Sequence, residues 1–271
     1  MAEELELKVM SYNIWNYNEP WAERRKIIVD CILEEDPDIV GLQEIRDDSR
    51  FNAPGQNQAR QIASRTGLDY HYQPAMIYSR SPRCVEGLCI MSRYPIRSTT
   101  CVELTRNPKD MKDVHQRIVL NGTVPLPLGP IEFFVSHFSL SPEMRLSNAL
   151  ELLQFVQSFN SSLPKFVVGD LNCTPDDRPA RILMGTDRMP GQSIVGNLID
   201  VWDEAPRPKK SGSGGPRSFG DKRIDYIFMT SSPWARTAVR NVAVLNPRDA
   251  KGLSGSDHAA LTATVSISVE E

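Results

Sequence analysis

Short apolar segments of strand length that stop at a residue able to do chemistry recur along this chain, and the recurrence limits its folds more than any bulk property does. Asn13 closes the alternating stretch of Leu5, Leu7 and Val9; Glu44 follows IVGLQ; His137 follows EFFVS; Asp170 and Asn172 follow KFVVG. Asp257 and His258 stand just before the last strand-like segment. Each residue alone says little, since an aspartate after a strand is usually a turn former. Together they describe rigid strands delivering polar groups to one sheet edge, where a site can be assembled from distant parts of the chain.

The intervening patterns supply the rest of the body. Trp21 to Glu35 places Ile27, Ile28, Cys31 and Ile32 on one helical face and is stopped by Asp36 and Pro37. Ala59, Ile62 and Ala63 make a second helical stripe, closed by Gly67 in the left-handed position that glycine favours. Ser141 and Pro142 open a third helix, with Leu146, Ala149, Leu150, Leu153 and Val156 as its expected buried stripe. Strands are expected at 39–42, 70–73, 85–91, 114–124, 131–137, 166–169, 223–229, 239–245 and 259–267.

With 271 residues, 40% of them hydrophobic and 24% charged, the chain has material for one large domain over 1–271. A net charge of −3 gives no global attraction to a polyanion, so affinity for nucleic acid must come from a local patch. The one concentration of positive charge is the Gly-, Ser- and Pro-rich stretch 206–222, which holds Arg207, Lys209, Lys210, Arg217 and Lys222 and is expected to be a mobile surface loop. It reads equally as a solvated linker or as a contact for a phosphate backbone, with Phe219 available to stack on a base.

Five cysteines without zinc-site or redox spacing suit free thiols in a reducing compartment, so an intracellular location, cytoplasmic or nuclear, is expected. The sequon Asn172-Cys173-Thr174 argues the same way, because a glycan there would sit on the candidate site. MAEELELKVM lacks the basic start and apolar run of a signal peptide, and nowhere do about 18 apolar residues run together as a membrane-spanning helix requires.

The motifs SYNIW, LQEIR, SHF, GDLN, RIDYIF and SDH, in that order between residues 7 and 267, resemble those of the endonuclease/exonuclease/phosphatase superfamily. The resemblance implies a four-layer α/β sandwich, two mixed sheets packed face to face with helices outside, and a metal-dependent phosphodiester hydrolase. It implies magnesium, with manganese able to substitute, held by Glu44 with Asn13 beside it and Asp257 as a second carboxylate. Asp170 then activates the attacking water, Asn172 orients nucleophile or phosphate, Asp225 pairs with His258, and His137 contacts phosphate.

The residue chemistry agrees with these roles. Magnesium prefers oxygen ligands and keeps several waters, whereas no cysteine or histidine cluster suited to zinc is present. A metal and two imidazoliums would offset charge building on the phosphoryl oxygens. Glu86 is either an orienting partner for His137 or a solvent-facing strand residue, and Arg117 and Arg145 either touch phosphate or make surface ion pairs. His71 and His115 are expected to be structural or surface residues.

For substrate, nucleic acid is the first expectation and a phospholipid head group the alternative, with Trp15, Trp21 and Trp234 as a membrane-facing apolar surface. A catalytically silent binding module is a third reading. A monomer is expected.

Overall fold

The computed structural model describes residues 3–189, 191, 193–206 and 217–269. In chain order the elements are β1 (Glu3–Asn13), α1 (Trp21–Glu35), β2 (Ile39–Asp48), α2 (Gln58–Thr66), β3 (Asp69–Arg80), β4 (Arg83–Ser92), β5 (Ser98–Glu103), β6 (Ile118–Leu126) and β7 (Gly129–His137). Then follow α3 (Pro142–Gln157), β8 (Phe166–Asp170), α4 (Arg178–Leu183), β9 (Leu198–Asp200), α5 (Val201–Glu204), β10 (Asp225–Thr230), β11 (Arg236–Leu245) and β12 (Ala260–Val269).

Local chemistry accounts for the helix ends. Asp36 terminates α1 in the left-handed region at φ 49°, and Gly67 does the same for α2 at φ 74°. Ser141 caps α3 by accepting a hydrogen bond from the Met144 amide, with Pro142 in the first turn.

Two six-stranded sheets result, ordered β11-β12-β1-β2-β4-β3 and β5-β6-β7-β8-β10-β9. Each holds one parallel pair, β1 with β2 and β7 with β8, and is otherwise antiparallel. A parallel pair needs a long crossover, here supplied by α1 in the first sheet and α3 in the second. Leu7, Val9, Phe133, Val135, Phe166, Val168 and Ile227 pack between the sheets. Met10, Tyr12, Val40 and Leu42 pack under α1 and α2, and Phe134, Val167 and Phe228 under α3 and α4. The layers are therefore helix, sheet, sheet, helix, as the motif resemblance implied.

Some expectations shift. The segment expected as a strand over 114–124 becomes one only at Ile118, and β5 and β9 were not anticipated. The buried stripe of α3 is Met144, Asn148, Ala149, Leu152, Leu153 and Val156, while Leu146 and Leu150 are only half-buried, because polar Asn148 turns inward to serve backbone groups. Arg207, Lys209 and Lys210 of the basic stretch lie outside the described residues.

Candidate active site

Strand register assembles one half of the site. His137 pairs with Asp170 across β7 and β8, and Asp170 pairs with Asp225 across β8 and β10. Residues directly opposite in a ladder project to the same face, so one imidazole and two carboxylates form a lateral row. The face is fixed by period two: Val135, Val168 and Ile227, two residues away in each strand, all belong to the layer between the sheets. The site is therefore the mouth of the inter-sheet core, where the apolar layer stops and a polar row begins. Gly169 permits this packing. It sits at φ 152°, and a Cβ there would lie 1.9 Å from the Ser136 carbonyl oxygen.

His258 closes the row. Its Nδ1 is 2.9 Å from Asp225 Oδ2, and its Nε2 is 3.6 Å from Asp170 Oδ2. Burial opposes its charge, but Asp225, Asp170 and Asp257 outweigh burial and raise its pKa to about 9. Asp170, 2% exposed, is pushed up to about 7 by burial and by Asp225, with His258 and two hydrogen bonds opposing. Those bonds come from the Asn172 amide, 2.9 Å, to Oδ1 and from Asn13 Nδ2, 3.1 Å, to Oδ2. Asn172 holds a left-handed φ of 51°, and its side-chain amide donates to the Phe138 carbonyl. The Ser218 hydroxyl accepts from the amides of Ile224 and Asp225, and the Phe219 ring lies 4.6 Å from the His258 ring. One face of Phe219 is thus committed to His258, leaving a ring 40% exposed for anything else.

The other sheet brings Glu44. Val40 and Leu42 face the outer helices, and so does Ile45, a spacing that breaks strict alternation. Between them Gln43 and Glu44 together stand against the single residue Leu88, a β-bulge with Glu44 at φ 58°. The extra residue removes Glu44 from the helix-covered face and turns it into the site. Its two carboxylate oxygens accept from Asn13 Nδ2, 3.1 Å, and Asn16 Nδ2, 2.9 Å. Asn13 differs from expectation: its nitrogen bridges Glu44 and Asp170 and its oxygen accepts from the Trp15 amide, so it organises carboxylates instead of presenting a free oxygen ligand.

Glu44, Asp170, Asn172, His137, Asp257, His258, Arg117 and Phe219 line a single cavity of about 330 Å³, with Asn13 and Asp225 buried behind it. Arg117 Nη1 is 3.1 Å from His137 Nδ1. A guanidinium only donates, so Nδ1 accepts and the ring proton sits on Nε2, 3.4 Å from Asp170 Oδ2. Burial, then Arg117, His258 and His115, hold the His137 pKa well below its usual value. The pair of imidazoliums expected from sequence is therefore corrected to one imidazolium, His258, and one neutral imidazole, His137.

Glu86 does not orient His137. It pairs with Arg46 at 2.8 Å and accepts from the Tyr78 hydroxyl at 3.2 Å. His115 is not a bystander either, since it lines the cavity and bonds the Tyr78 hydroxyl. Arg145 donates to the Asn172 carbonyl at 2.6 Å in place of a surface ion pair. The sequence reading missed Asn16, Arg46 and Tyr78. Only Asn16 carried a signal, being a second amide three residues after Asn13.

The cavity suits a hard divalent cation. Glu44 and Asp257 both face it, neither forms an ion pair among the described residues, and burial followed by Glu44 raises Asp257. Two neighbouring carboxylates facing the cavity, both hard oxygen donors, fit magnesium or manganese. Asp170, Asp225 and His258 also offer ligand atoms within 4.8 Å of one another. Their short Nδ1 hydrogen bond matches an acid–base relay.

Residues 10–258 match the model of the Endonuclease/Exonuclease/phosphatase family. The chain belongs to that family. Its members are hydrolases acting on phosphoester bonds, generally with a divalent metal. Similar solved structures include an endonuclease/exonuclease/phosphatase family protein from Bacteroides thetaiotaomicron (19% identity, TM-score 0.73, covering 98% of this chain and 96% of that one). The catalytic domain of human Nocturnin is another (20%, 0.72, 98% and 97%), as is a mannosyl-6-phosphatase from B. thetaiotaomicron (18%, 0.68, 96% and 99%). At these identities the likeness concerns the fold. Among curated proteins no match was found. No helix among the described residues is long and apolar enough to cross a membrane.

Proposed function

We propose that this chain is a magnesium-dependent phosphodiesterase that hydrolyses nucleic acid. The observation carrying the proposal is His258, held between Asp225 and Asp170 and facing the same cavity as the unpaired carboxylates Glu44 and Asp257.

Asp170 takes the proton from a water that attacks phosphorus in line, and the P–O bond opposite breaks, the displaced oxygen leaving as an alcohol protonated from solvent. The raised proton affinity of Asp170 suits a base working near neutral pH, and the Asn172 and Asn13 donors fix both its oxygens. His258, charged and braced by Asp225, donates from Nε2 to a phosphoryl oxygen. Neutral His137, with Arg117 on its Nδ1, presents an N–H to a second one. Arg117 lines the cavity without an ion pair among the described residues and is placed to meet a phosphate. Magnesium held by Glu44 and Asp257, when bound, would supply charge neutralisation for the developing phosphorane.

Support for nucleic acid comes from the cavity lip, where Tyr78 and Phe219 expose aromatic surface and Arg46 stacks over the Tyr78 ring at 5.0 Å. A phospholipid head group is the second reading, favoured by the exposed Leu140 and Val114. The three tryptophans do not share one exposed face, since only Trp15 lines the cavity. Trp21 is buried against Gln61, and Trp234 lies past Thr230, at the opposite end of β10 from Asp225.

The test is hydrolysis of single-stranded DNA, duplex DNA, RNA, 5′-tyrosyl DNA, sphingomyelin and inositol phosphates with magnesium, using Asp170→Asn as control. Cleavage of a polynucleotide, with binding that weakens steeply with salt, supports the reading. Cleavage of lipid alone replaces it with the second. Binding without turnover in either protein indicates a silent module.

A further inference from the structure

Arg24 on α1 is 1% exposed, yet no carboxylate meets its guanidinium among the described residues. Every bond it makes goes to backbone carbonyls in two segments. Nη1 donates to Asn18 at 2.6 Å, Asn16 at 3.3 Å and Trp15 at 3.5 Å, and Nη2 donates to Ile14. Nε donates to Gly255 at 3.0 Å. The rings of Trp15 and Trp21 flank it at 4.9 and 5.9 Å. Burying a guanidinium is costly unless its hydrogen bonds are satisfied, and here the satisfying groups belong to two separate loops.

Both loops end in the active site. In the first, Trp15 and Asn16 hold left-handed φ values of 58° and 38°, unfavourable for a bulky Trp15 without outside support, and Asn16 then donates to Glu44. In the second, Gly255 leads into Ser256, whose hydroxyl donates to the Asn13 carbonyl and accepts from the His258 amide, with Asp257 between them. A Cβ at Gly255 would sit 3.2 Å from Ile27 and 3.3 Å from Ile28, so the second loop is seated directly on α1, which carries Arg24.

We propose that Arg24 is a positioning residue that clamps the 14–18 and 255–258 segments to one another and thereby sets the placement of Glu44, through Asn16, relative to Asp257. The clamp rests on the proposed role of those two carboxylates in holding a divalent cation. Three nitrogens spread over a planar fork are needed to reach carbonyls in both segments, so lysine, with the same charge on one nitrogen, is no substitute.

The test compares wild type with Arg24→Lys and Asn16→Ala. In the metal-free proteins, hydrogen exchange of peptides covering 14–18 and 255–258 is expected to accelerate together in Arg24→Lys, with the remaining sheets unchanged. Manganese affinity, read by electron paramagnetic resonance without substrate, is expected to fall about 10- to 100-fold, as when supporting partners of metal ligands are removed. kcat should fall while KM for substrate stays near wild type. Asn16→Ala should reproduce the manganese loss while leaving exchange at 255–258 unaltered.

Wild-type exchange at either segment in Arg24→Lys overturns the clamp, whatever the metal data show. Should Arg24→Lys fail to fold, unchanged manganese affinity in Asn16→Ala overturns it. If wild type itself binds no manganese, the carboxylate assignment fails separately, and coupled exchange still decides whether Arg24 joins the loops.

Discussion

Asp170 and Asp225 stand opposite one another in the register of β8 and β10, but His258 binds them unequally, at 2.9 Å from Asp225 and 3.6 Å from Asp170. Asp225 therefore braces the imidazole and Asp170 keeps its reach into the cavity. Replacing Asp225 by Asn retains the shape and removes the charge. We expect kcat to drop by about 10²- to 10⁴-fold, the range usual for loss of acid–base function, and the melting temperature to fall as the buried His258 charge loses its partner. Turnover close to wild type would show that His258 needs no brace.

Glu44 reaches the cavity only because of the bulge it occupies. Glu44→Ala should leave a folded protein whose activity needs about 10- to 100-fold more magnesium. A magnesium titration superimposable on wild type would remove Glu44 from the metal site.

Gly169 allows β7 and β8 to approach immediately before Asp170. Gly169→Ala places a methyl group against the Ser136 carbonyl at a backbone angle that L-residues avoid, costing about 2–4 kcal/mol and displacing Asp170. Urea unfolding measures the first effect, and a midpoint like that of wild type would mean the strands can part at that point without penalty.

Asp48 is buried at the end of β2 and bonded by the Arg50 guanidinium, which holds its pKa down to about 2. The folded carboxyl binds its proton less readily than the unfolded one. Its stabilisation is therefore present above the ordinary carboxylate range and is lost as pH falls towards about 2. Because Arg50 is half exposed, solvent screening keeps the effect small. Asp48→Asn should flatten the melting temperature between pH 5 and pH 2, and a slope identical to wild type would count against the pair.

Much of the fold was legible because its strands are bounded by local signals. Helix α1 runs from Trp21 to Glu35 as the spacing of Ile27, Ile28, Cys31 and Ile32 indicated, and Gly67 ends α2 in the left-handed form. β5 was missed because STTCVE alternates weakly and is mostly exposed at a sheet edge, and β9 is only three residues long. Among site residues, Asp170 was visible as a polar stop on an apolar strand, whereas Asp225 was found only through the resemblance of RIDYIF. Tyr78 and Arg46 were not, because each is one polar residue among many until the β2–β4–β3 pairing turns them towards His137.

Local chemistry alone marked most of the strands and showed that β1, β7 and β8 end at Asn13, His137 and Asp170, since period two, capping and chain breakers act within a few residues. Only the tertiary structure decided that His137 is neutral while His258 is charged, that Asn13 donates to two carboxylates, and that a bulge aims Glu44. Those outcomes depend on burial and on partners as much as 157 residues away in the chain. Desolvation and hydrogen bonding across such separations exist only once the two sheets have closed on each other.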